Sequence, residues 1–68
     1  MKAQQQKVYE AILSGYRTAR EVSIGTGMTV KRCSADLVRL QEAGKVEHTG
    51  WLKYPAERWS TKFYEPVL

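Results

Sequence analysis

The chain predicts a mainly α-helical domain, three helices closed by a C-terminal β-hairpin. Three observations carry that expectation. Apolar residues recur at helical spacing in the first two-thirds of the chain. Two helix-start signals, Thr18 and Thr29, stand eleven residues apart with a glycine-containing break between them. Beyond Gly44 the pattern changes to β-branched and aromatic residues interrupted by a proline.

The first helix is expected over about 4–14. Val8, Ala11 and Ile12 fall at i, i+3 and i+4 on one face, with Leu13 beside them; Lys7 and Glu10 face away, and Gly15 follows as a stop. Thr18-Ala19-Arg20-Glu21 then reads as a capping box, in which each side chain satisfies a free backbone donor of a second helix over 19–25. Val22 is its apolar anchor, and Gly25-Thr26-Gly27 supplies the sharp exit. Barely two turns long, this helix depends on packing against its neighbours.

Thr29 is the next N-cap, opening a third helix over 30–43 that ends at Gly44. At 100° per residue Val30, Cys33, Leu37 and Leu40 lie within roughly 80° of one another. Lys31, Ala35 and Arg39 fall on the opposite side, with Arg32 at its edge. The helix is therefore one-sided, pinned by an apolar stripe and offering a basic face outward.

Strands are expected over 46–52 and 58–65, joined by Lys53-Tyr54-Pro55-Ala56-Glu57, where Pro55 bars a continuous strand. Two registers remain open: either Trp51, Trp59 and Phe63 or Leu52 and Tyr64 point inward. The aromatic set Trp51, Tyr54, Trp59, Phe63 and Tyr64 could stack single-stranded bases; the favoured expectation is a sheet face that closes a small core.

Composition narrows the function. Sixty-eight residues make one small domain, 1–68, with little room for an enclosed catalytic pocket. Eleven Lys and Arg against seven Asp and Glu give a net charge of +4, which favours a polyanionic partner. No apolar run approaches the roughly 20 residues of a membrane helix, and the amino terminus does not lead into a secretory apolar stretch, so a cytoplasmic location is expected, on the nucleoid when DNA is bound. The single cysteine, Cys33, excludes an internal disulfide and reads as a small buried core residue. With one histidine, His48, read as a strand side chain near the hairpin base, it cannot build a zinc site, and no cofactor is expected. Paired carboxylates, a nucleophile with a neighbouring base and a glycine-rich phosphate loop are all missing, so no enzyme is expected.

Two helices joined by a short break, the second basic on its outer face, have the form of a helix-turn-helix, whose second helix enters the major groove of DNA. The residues also resemble a family. Thr18-x-x-Glu21-Val22 through Thr26-Gly27-Met28, then Cys33-Ser34, Leu37, Leu40, Gly44 and Val46, are similar to the pattern of MarR-like and ArsR-like winged helix-turn-helix regulators. The match covers residues 8 to about 48, and the hairpin in outline. Gly50-Trp51 and the aromatic last strand resemble small stand-alone winged helices of phage and mobile elements. The chain departs from these families in two respects: the extra terminal helices through which MarR-like proteins dimerise are missing, as are the metal-ligand sets of ArsR-like sensors. Ser34 and Val38 stand where Z-nucleic-acid-binding winged helices carry asparagine and tyrosine, which argues against left-handed duplexes.

The resemblance implies a sequence-specific, duplex-DNA-binding transcriptional regulator, with the third helix in the major groove and the hairpin on the backbone or minor groove. Phosphate contacts are expected from Arg17 and Arg20, from the backbone N–H groups near Thr18, and from Lys53, Arg58 and Lys62 on the wing. About five such contacts would make log K fall against log salt with a slope of about −4 to −5. Base contacts are expected from Thr29, Lys31, Arg32, Ser34, Ala35 and Arg39, with Lys31 or Arg32 donating to guanine and Ala35 touching a thymine methyl. On this view Arg32→Ala relaxes base preference, whereas Lys53→Ala weakens all sequences alike. One copy meets one half-site, so a second copy or a partner protein on DNA would add affinity. Two alternatives use the same fold. One is an architectural binder, excisionase-like or a replication accessory factor, that bends DNA. The other is a winged helix that contacts only protein.

Overall fold

The computed structural model describes residues 2–67. Its elements run α1 (Ala3–Leu13), α2 (Ala19–Thr26), α3 (Val30–Glu42), β1 (Val46–Leu52) and β2 (Thr61–Pro66). The three helices pack on one another, and the antiparallel hairpin closes the assembly against α1 and α3. This is the three-helix-plus-hairpin layout expected. The helices agree with expectation to within one residue at each end. The second strand does not: it begins at Thr61, leaving Arg58 and Trp59 in a loop that spans 53–60.

Helix α1 has no side-chain cap at its start but ends in a Schellman turn, with Tyr16 N–H donating to Ala11 O (3.1 Å) and Gly15 N–H to Ile12 O (3.2 Å). The same turn closes α3, where Lys45 N–H reaches Leu40 O (2.9 Å). At α2 the capping box is half as expected. Thr18 Oγ1 accepts from Glu21 N–H (3.2 Å), but the Glu21 carboxylate accepts from Arg17 N–H (2.8 Å), one residue upstream of the cap.

Two glycines act differently from one another. Gly27 adopts a left-handed backbone (φ 75°) that ends α2 and starts the turn. Gly25 lies inside α2 instead of in the exit, and its role is close approach: a Cβ there would stand 2.7 Å from the Tyr16 ring. Gly25→Ala therefore requires the exposed Tyr16 ring to swing aside, a cost set against the about 1 kcal/mol that alanine gains over glycine inside a helix. In urea titrations the substitution should stabilise a Tyr16→Ala background by more than it stabilises the unaltered chain, since the clashing ring is gone. Equal effects in the two backgrounds would refute the contact.

The core consists of Val8, Ala11, Ile12, Ala19, Val22, Cys33, Leu37, Leu40, Val46 and Tyr64, with Tyr9 and Met28 packed at its edge. Val30 does not join it; at 48% exposure it faces outward at the first turn of α3. Asp36 takes its place, 1% exposed. At about 100° per residue the buried arc of α3 runs from Asp36 to Leu37, turned about 30° from the expected stripe.

The hairpin register follows neither expected alternative. Val46 pairs with Pro66, Glu47 with Glu65 and His48 with Tyr64; a bulge at Thr49 then shifts the ladder, so that Gly50 faces Phe63, Trp51 faces Lys62 and Leu52 faces Thr61. Directly paired residues share a face. The extra residue therefore puts Trp51, not Leu52, on the same face as Tyr64, and Leu52 falls beside Phe63 on the other face. His48 confirms this face by meeting the Trp51 ring edge-on, with centroids 4.8 Å apart. Nor does the aromatic set close the core. Tyr64 alone is buried, whereas Tyr54 and Phe63 are half-buried and Trp51 and Trp59 are 63% and 70% exposed. Tyr64 lies where β2 meets the α1–α2 connection, its N–H donating to Arg17 O, whereas Trp51 lies nearer the hairpin tip, opposite Lys62.

Candidate nucleic-acid interface

The turn between α2 and α3 is held by side chains. Thr26 Oγ1 donates to Val22 O (2.7 Å) and accepts from Met28 N–H (3.2 Å), while the Ser23 hydroxyl donates to Met28 O. Thr29 Oγ1 then caps α3 by accepting from Arg32 N–H (3.2 Å). These bonds fix the angle at which α3 leaves α2, and so the direction of its outer face. Thr29 is exposed, but its hydroxyl oxygen already serves the cap.

Along that outer face Lys31, Arg32, Ser34, Ala35 and Arg39 are all exposed. Val38 lies among them, 40% exposed, although it is not one of the expected contact residues. The hairpin stands alongside. Ser34 and Val38 share a cleft of about 190 Å³ with Lys62 and Tyr64 of β2. The bulge adds the exposed Trp51 to the same sheet face as Lys62. The helix and the hairpin therefore form one continuous surface, small at Ser34 and Ala35 and cationic at Lys31 and Lys62.

The cations divide into two groups. Among the described residues, the three ion pairs join Arg20 to Glu57, Arg32 to Asp36 (3.7 Å) and Arg39 to Asp36 (3.5 Å), and none involves Lys31, Lys53, Arg58 or Lys62. Arg32 also contacts the Gln4 side chain of α1. Asp36 is the residue the sequence reading missed. Its signal was present in the spacing, four residues after Arg32 and three before Arg39 on one helix. Asp36 Oδ2 is buried without a hydrogen-bond partner among the described residues, so the two arginines supply its main compensation.

Three expected phosphate contacts are engaged elsewhere. Arg17 turns its guanidinium back to Ile12 O (2.7 Å), adding a second donor to that carbonyl at the end of α1, and its own carbonyl accepts from Tyr64 N–H (2.6 Å). Thr18 is fully buried, its hydroxyl 2.7 Å from Tyr54 Oη. Arg20 is half-exposed but lies over the Tyr54 ring (4.6 Å to its centroid) and pairs with Glu57. The start of α2 is thus covered by the 53–60 loop, a long-range contact with no local signature in the sequence. Lys53 and Arg58 extend from that same loop, both exposed.

Cys33 is fully buried beneath α3. Burial pushes its thiol above the ordinary value of 9.0; a hydrogen bond with Thr26 partly opposes this, and the nearby Asp36 charge adds to the rise. The protonated thiol is a core group, unsuited to redox chemistry. Among the described residues no group of three or more His, Cys, Asp and Glu side chains converges, and no helix is long and apolar enough to cross a membrane. Compared with known proteins, the chain matches no protein-family profile, no curated protein and no solved structure.

Proposed function

We propose that this chain is a winged-helix protein that binds duplex DNA and regulates transcription in the cytoplasm. The observation that carries the reading is the outer face of α3: exposed along its length, with unpaired Lys31 next to the small Ala35, and flanked by Lys62 of the hairpin. A helix about 10–12 Å across with small residues at its crest fits the major groove. Lys31 would donate to base edges, with Ser34 and Ala35 allowing close approach. Lys53, Arg58 and Lys62 would engage phosphates on either side. One α3 reads one half-site, so a second copy on DNA would supply the rest of the affinity.

The test is random-sequence duplex selection, followed by anisotropy titrations of the recovered site across salt. Four unpaired cations give an expected slope of log K on log salt near −3.6. Lys53→Ala should weaken all sequences alike and flatten the slope by about 0.9. Lys31→Ala should in addition erase preference at one base pair, a discrimination of about 1–3 kcal/mol. Equal, sequence-blind losses from both variants would remove base readout; salt-insensitive binding would remove the DNA reading.

A further inference from the structure

A notch of about 440 Å³ opens between the first turns of α2 and α3 and the 53–60 loop, within the roughly 300–1,000 Å³ typical of small-ligand sites. We propose that it accepts a single unstacked nucleobase, with Trp59 as the stacking surface and Arg20 as the contact for the attached phosphate. Four features argue for that occupant. First, Trp59 is 70% exposed at the notch and Val30 48%, so two large apolar side chains stand uncovered where the chain could have packed them. Second, a flat aromatic surface beside a guanidinium is the combination that holds a nucleotide, the ring stacking on the base and Arg20 exchanging Glu57, which also lines the notch, for the phosphate.

Third, the walls are fixed in advance. Tyr54 Oη is 2.7 Å from Thr18 Oγ1 and 3.4 Å from the Glu21 carboxylate, and its ring lies under the Arg20 guanidinium, 4.6 Å from the centroid. A preordered site loses little conformational entropy on binding. Fourth, Val30 is at once a wall of the notch and the first residue of α3. A base that leaves a duplex bound along α3 therefore lies within reach. The inference rests on the nucleic-acid reading but adds to it a preference for unpaired nucleotides.

Trp51→Phe leaves Trp59 as the only tryptophan, since the chain has two. In that background three probes are titrated: a blunt hairpin duplex, the same duplex with one unpaired nucleotide, and an oligothymidine single strand. Quenching of Trp59 by the bulged duplex is expected, with affinity about fivefold or more above the intact duplex. Trp59→Ala should abolish that preference, and Trp59→Phe, which keeps a stacking face, should retain part of it. Quenching by oligothymidine alone would support the notch with a single strand as its source; quenching by both would include a base extruded from a duplex. Tight binding of the intact duplex with no quenching and no gain from the bulge would overturn the notch and leave the duplex reading standing. Quenching by single strand without any binding of the intact duplex would do the reverse.

Discussion

Leu37→Ala is expected to cost about 3 kcal/mol and to leave much of the protein unfolded near physiological temperature. Leu37 is fully buried among the central core side chains, and removal of a buried leucine typically costs about 2–5 kcal/mol through lost transfer energy and the cavity left behind. A chain of this length has a total stability of about 3–10 kcal/mol. Val30→Ala is the matched control. In a stripe spanning Val30 to Leu40 both substitutions would open the core. In the fold observed, Val30 is half-exposed, and its loss should stay within about 0.5–1 kcal/mol. Urea denaturation followed by circular dichroism separates the two. Comparable losses would mean that α3 buries the stripe centred on its apolar residues rather than the arc turned toward Asp36.

That rotation shows where local pattern stops being informative. Helices α1, α2 and α3 were legible because their caps are local: Thr18 and Thr29 bond to amides three residues on, and the chain turns just beyond Ser14 and Ala43. Val8, Ile12, Val22, Leu37 and Leu40 were legible by spacing. The errors came from groups whose environment is set at long range. Val30 is half-exposed and lines a notch with residues of the 53–60 loop, a neighbourhood that its helical spacing does not encode. Asp36 was read past because a carboxylate on an apolar flank is unusual, although Arg32 and Arg39 at helical spacing announce the compensation. In the hairpin, a single bulge at Thr49 reversed which face Trp51 takes, and alternation cannot be read through such an insertion. Of the candidate interface, the exposed positions of α3 were legible. Which of its cations are already paired was not, because Gln4 meets Arg32 and Glu57 meets Arg20 from the far ends of the chain.

The pairing at Asp36 sets the second large effect. Within the DNA-binding reading, Asp36→Asn should raise affinity for duplex DNA and steepen its salt dependence. Arg32 and Arg39 flank one buried carboxylate, with nitrogens 3.7 and 3.5 Å from its oxygens, while their own side chains remain about half-exposed. Each guanidinium therefore faces a choice between Asp36 and a phosphate, and a phosphate contact would leave Asp36 buried and less compensated, at a cost of several kcal/mol when a partner is lost entirely. Neutralising the carboxylate removes that competition at nearly constant shape. Two added phosphate contacts would take the slope of log K on log salt from near −3.6 to near −5.4. The gain should be largest at low salt and should vanish in Arg32→Ala/Arg39→Ala/Asp36→Asn, which has no guanidinium to release. Stability should fall by about 1–3 kcal/mol, since a neutral amide is a weaker partner than the carboxylate for the two guanidiniums. An unchanged slope in a folded Asp36→Asn protein would mean that Arg32 and Arg39 never meet the backbone. The basic contact surface would then consist of Lys31 and the hairpin and loop cations alone.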